Sequence, residues 1–88
     1  MKLVVFYRPN SEHSRQVEEF VHDFLRYEPD RKIDLIDVDS PYGVSQCELY
    51  DVITYPTVIA KGEDGVLLHS WAGEIPLMNE LSYYAQPV

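Results

Sequence analysis

"LYDVITYPTVIA", residues Leu49 to Ala60, decides the fold, because it joins the end of one helical stretch to a short apolar strand. Thr57 to Ala60 has the β-branched and small apolar residues of a buried strand. After it "KGEDG", Lys61 to Gly65, reads as a tight turn, and Val66 to Trp71 pairs back as a hairpin. Before it, Ser40 can cap a helix that takes Pro41 at its first position and runs to about Asp51, with Gly43 as a weak point.

Further out the pattern alternates in type. "KLVVFY", Lys2 to Tyr7, is a continuous apolar run, as expected of a central strand buried on both faces. Val17, Phe20, Val21, Phe24 and Leu25 recur at helical spacing, so Ser11 to about Tyr27 is predicted to be an amphipathic helix, ended by Pro29 and Asp30. "IDLIDV", Ile33 to Val38, mixes apolar and acidic residues and suits a strand nearer an edge. Pro76 is predicted to open a last helix with Leu77, Met78, Leu81 and Tyr84 on one face. The order is βαβαββα. A mixed four-stranded sheet with helices on both faces satisfies the two crossovers and the final hairpin, an α/β fold in a single domain over residues 1–88.

Composition narrows the function. At 88 residues there is room for one core, and 45% hydrophobic residues suffice to fill it. Fifteen acidic residues against seven basic ones give a net charge of −8, with no basic run. That argues against nucleic acid and against anionic membrane as partners, since both need clustered Lys and Arg. "LVVFY" is too short for a signal-peptide core, and no apolar stretch approaches the roughly 20 residues that span a bilayer. The single cysteine, Cys47, cannot form an internal disulfide and fits a reducing, cytoplasmic setting.

Together the element order, the strand-turn-helix around Asn10 to Ser14 and the Tyr50, Val52, Pro56 and Thr57 pattern resemble the thioredoxin and glutaredoxin superfamily. "WAGEIP", Trp71 to Pro76, is similar to the glycine segment that follows the hairpin there. The likeness covers nearly the whole chain, in the compact glutaredoxin-type form without thioredoxin's extra N-terminal strand and helix. It implies a cis Tyr55–Pro56 bond facing the turn at Ser11, with the Tyr55 backbone beside the helix start, where relatives hold an extended peptide or glutathione.

The departure lies in the turn itself. Relatives carry Cys-x-x-Cys or Cys-x-x-Ser where this chain has Ser11, Glu12, His13 and Ser14. A thiol at a helix N-terminus is acidified into a nucleophile, whereas a serine hydroxyl is far too weakly acidic for the dipole to ionise. Thiol-disulfide exchange through this turn is therefore chemically excluded. Ser11 and His13 are too close along a helix start for a nucleophile-base pair, and no third group orients His13. The plainer reading has Ser11 or Asn10 as helix cap and Glu12 on the positive helix end. His13 and His22 are nine residues apart, on opposite helix faces, so no metal site is expected. Cys47 reads as a small core residue, with nothing basic beside it in sequence.

Arg8 stands where many glutaredoxins place a basic residue on the glutathione carboxylate, and Tyr7 resembles in position the tyrosine of some glutathione transferases. Each also reads plainly, as a solvated turn residue and a half-buried aromatic. The segment after the hairpin lacks the Ser- or Asp-bearing motif for the γ-glutamyl end. The expectation is a redox-inactive, non-catalytic member that binds a peptide or protein partner at the former active-site groove through Tyr7, Arg8, Asn10, Tyr55 and Pro56, as a monomer or weak dimer. No cofactor is expected. Glutathione binding by an enzyme or carrier, and an interaction domain using another surface, are the alternatives.

Overall fold

The computed structural model describes residues 1–85. Its elements are β1 (Lys2–Tyr7), α1 (Ser14–Tyr27), β2 (Lys32–Asp37), α2 (Pro41–Leu49), β3 (Thr57–Lys61), β4 (Leu67–Ala72) and α3 (Met78–Ala85). The four strands form one sheet in the order β2-β1-β3-β4. β1 runs parallel to β2, and β3 is antiparallel to both β1 and β4. β1 is thus central, and its four middle residues are buried, as a run without polar alternation requires. This is the mixed α/β sheet expected from the element order.

The strand period of two splits the core into two layers. Leu3 and Val5 face one way, onto Val17, Phe20, Val21 and Phe24 of α1, together with Val58, Trp71 and Leu81. Val4 and Phe6 face the other way, onto Cys47 of α2 with Ile36, Val38, Val52 and Ile59. Helices therefore cover both faces, and Cys47 is a core residue, buried and unpaired.

α2 owes its ends to local chemistry. The Ser40 hydroxyl accepts from the Gly43 N–H at 2.9 Å and donates to the Asp37 carbonyl at 2.7 Å, and Pro41 opens the helix. The helix stops at Leu49, short of Asp51, in a Schellman turn: Val52 N–H reaches the Cys47 carbonyl at 2.8 Å while Asp51 takes φ 56°. Gly43, a weak helix former, stands where α2 packs closely on the end of β2. A Cβ there would fall inside the Asp37 carbonyl oxygen, so only glycine lets α2 pack against the end of β2.

Three further expectations need correction. α1 begins at Ser14 with His13 at the N-cap position, so neither Ser11 nor Asn10 caps it and Glu12 lies outside its first turn. Residues 11–13 form a turn because the Ser11 hydroxyl is engaged with the chain behind it. Leu77 is not on the buried face of α3: it precedes the helix and is 65% exposed. Leu25 likewise sits at the rim of the α1 core stripe and is exposed.

Candidate functional site

Register builds the site. Phe6 pairs with Thr57 across the antiparallel β1–β3 ladder, so one step further out Tyr7 and Arg8 lie alongside Pro56 and Tyr55. Tyr7 pairs with Asp37 on the parallel side, which brings Arg8 to Asp39. The Tyr55–Pro56 bond is cis, as the family resemblance implies. Gly73, at φ 74°, lies against Thr54, so the segment after the hairpin closes the same corner.

Arg8 is the centre of this corner. Its Nε and a terminal nitrogen donate to the two Asp39 carboxylate oxygens at 2.8 and 3.2 Å. The guanidinium carbon stands 5.4 Å from the Tyr55 ring centroid, a cation–π contact. The hydrogen bond and charge of Asp39 raise the Arg8 pKa further above its ordinary value. Burial pushes the Tyr55 phenol up, and the neighbouring Cys47 thiol adds to this. Tyr55 is half-buried, its ring placed between Arg8 and the second core layer.

The turn is wired to its own backbone. Asn10 adopts φ 61°, a left-handed conformation that asparagine tolerates better than most residues. The Ser11 hydroxyl donates to the Arg8 carbonyl at 2.5 Å and the Ser14 hydroxyl to the Ser11 carbonyl at 2.9 Å. Nε2 of His13 accepts the Arg8 N–H at 3.1 Å. That hydrogen bond occupies the lone pair a general base would use, and both serine protons already have acceptors. A serine–histidine nucleophile is thereby disfavoured on geometry as well as on spacing.

Below Tyr55 the surface opens into a shallow groove of about 440 Å³, lined by Val38, Val44, Cys47, Val52, Ile53 and Tyr55 with Glu48 and Asp51 at its edge. Ile53 is 86% exposed there, an apolar side chain standing in solvent beside an apolar floor. A second groove of about 450 Å³, between the end of α1 and α3, is lined by Phe24, Met78 and Leu81 and lies away from the turn. Among the described residues no three His, Cys, Asp or Glu side chains cluster to hold a metal, and no helix is long and apolar enough to cross a membrane.

The structure thus brings Tyr7, Arg8, Tyr55 and Pro56 together beside the Asn10–Ser14 turn. Asp39 and Thr54 belong to the same corner and were not anticipated. Asp39 had one sequence signal, an acid directly before the Ser40 cap, but only the β1–β2 register places it on Arg8.

No protein-family model matches the sequence. No curated protein matches it either. Solved structures do match. Thioredoxin 1 from Thermosipho africanus shares 20% identity and superposes with a TM-score of 0.77 over 97% of this chain and 94% of its own. Mitochondrial thioredoxin 3 from Saccharomyces cerevisiae, in its oxidized form, gives 20% and 0.75 over 96% and 76%. Fasciola hepatica thioredoxin gives 18% and 0.72 over 93% and 74%. The chain has the thioredoxin-like fold.

Proposed function

We propose that this thioredoxin-fold chain is a binding module without thiol-disulfide activity, which holds an extended peptide or protein segment in the groove around Tyr55 and Pro56. The observation that carries the reading is that Tyr55, which Arg8 links to a turn devoid of thiols, also lines an open apolar groove with Val44 and the exposed Ile53. Apolar surface of this kind on a small acidic domain gains free energy when a partner covers it. The single buried cysteine suits a cytoplasmic setting. A monomer or weak dimer leaves the groove open to a partner.

Glutathione is the weaker reading, because the Arg8 guanidinium that would hold its carboxylate is already engaged by Asp39. The test is a peptide-display selection on the native chain, followed by amide mapping by NMR. Selected peptides should shift Arg8, Ser11 to Ser14, Ile53 and Tyr55, and lose affinity with Ile53→Ser. Shifts confined to other surfaces would defeat the groove reading. Saturable glutathione shifts at Arg8 and Tyr55 would favour the alternative.

A further inference from the structure

At the far end of the sheet from the Arg8 corner, three lysines stand side by side. Lys2 is the register partner of Lys32 on one flank and of Lys61 on the other. Residues directly opposed in a sheet point to the same face and lie about 4.5–5.5 Å apart at Cβ, and like charges so placed destabilise it. The chain nevertheless puts three of its seven basic side chains in this row. Arg31, next to Lys32, lines the same groove, a space of about 340 Å³ to which only Asp30 and Glu63 contribute carboxylates. Four of seven bases thus converge from three separate stretches in a chain of net charge −8.

Each of these bases also has local partners, while the groove lining itself holds four basic residues against two acidic ones. Lys2 contacts Asp34 at 2.9 Å, Arg31 contacts Glu28 at 3.8 Å, and Lys61 donates to the Tyr50 hydroxyl at 2.7 Å with its ammonium 5.3 Å from that ring's centroid. Glu63 is held at 2.9 Å by the N-terminal ammonium, and the nearby Lys32 and Arg31 charges act on it as well. A sheet that sets like charges abreast breaks a local pairing rule, and such breaks concentrate at functional sites.

We propose that this groove binds the phosphate groups of a small polyphosphate-bearing molecule. Lysine ammoniums act as point charges on phosphate and the Arg31 fork can grip two oxygens. The volume lies at the lower end of the range for small-ligand sites, about 300–1,000 Å³. An extended polyanion such as RNA would meet the acidic remainder of the surface, whereas a compact one need touch only the lysine row.

The test is NMR titration of the native chain with sodium pyrophosphate, with orthophosphate and ADP as parallel arms, at low and at physiological salt. Pyrophosphate should give saturable shifts at Lys2, Arg31, Lys32 and Lys61 to Gly65, leave Ser11 to Ser14 and Tyr55 unmoved, and weaken with salt. Lys32→Glu alters an exposed side chain and replaces a like-charge pair by an opposite one, so it should lower the affinity roughly tenfold without lowering the melting temperature. ADP binding at least as tightly as pyrophosphate supports a nucleotide source, and ADP binding more weakly a source without a base. No saturable shift, equal binding of orthophosphate, shifts centred on Arg8, or insensitivity to Lys32→Glu would each overturn the proposal. Because its readout lies on different residues, it stands or falls apart from the peptide groove.

Discussion

Arg8 and Tyr55, 47 positions apart in sequence, meet with the guanidinium carbon 5.4 Å from the ring centroid. The same guanidinium grips both oxygens of Asp39, so one side chain ties the end of β1 to the loops that precede α2 and β3. Both charged partners are half-exposed, at 50% and 58% of their side-chain surface, and such pairs contribute about 1 kcal/mol or less. Arg8→Ala should therefore leave the denaturation midpoint nearly unchanged while shifting the Tyr55 and Asp39 amides and loosening the groove. A large loss of stability would mean that the corner is a structural keystone, and the binding role would lose its rationale.

Absence of thiols from the turn gives a direct prediction of activity. The purified protein should not reduce insulin disulfides above background, because Ser11 and Ser14 cannot form a mixed disulfide and Cys47 is packed in the core. Turnover that persists in Cys47→Ala would contradict this, since no thiol would remain. Turnover lost with Cys47→Ala would move the chemistry to that buried thiol.

Gly43→Ala tests the packing of α2. In an isolated helix alanine outranks glycine by about 1 kcal/mol, so propensity alone predicts stabilisation. Here the added methyl meets the Asp37 carbonyl and the Ser40 hydroxyl that caps the helix. Overpacking of this kind costs about 1–3 kcal/mol, and the clash should win. A lowered midpoint in urea checks it, whereas a raised one would show that α2 can shift away from β2 at little cost.

The elements that were readable from the sequence are those set by local pattern. Lys2 to Tyr7 announces a central strand by its unbroken apolar run, Ser40 with Pro41 marks a helix start, and Pro56 with Thr57 marks the strand that follows. What escaped depends on register and tertiary approach. Ser11 has the residue type of a cap, yet its hydroxyl turns back to Arg8, leaving His13 at the N-cap position. Gly43 looks like a flaw until the Asp37 carbonyl is placed against it. The lysine row is invisible in a chain with no basic run, because strand pairing alone puts positions 2, 32 and 61 abreast.

Glu80 offers a prediction in pH. One carboxylate oxygen accepts the Trp71 indole N–H at 2.9 Å and the other accepts the Leu77 N–H at 3.2 Å, so a single acid locks β4 to the first turn of α3. Trp71, the stronger influence, and the Leu77 backbone hold the Glu80 pKa below its ordinary value. A carboxylate whose folded pKa is depressed stabilises the fold above its unfolded pKa, and that contribution is lost as pH falls through the folded value. Stability should accordingly decline below about pH 4.3, the ordinary glutamate value. Glu63, drawn down by the N-terminal ammonium, adds in the same direction. Glu80→Gln keeps the shape of the side chain and removes the titration. It should flatten part of the acid limb and abolish the Trp71 fluorescence change that accompanies it. An acid limb of unchanged slope, with the same fluorescence change, would show that Glu80 is not the group that couples α3 to pH.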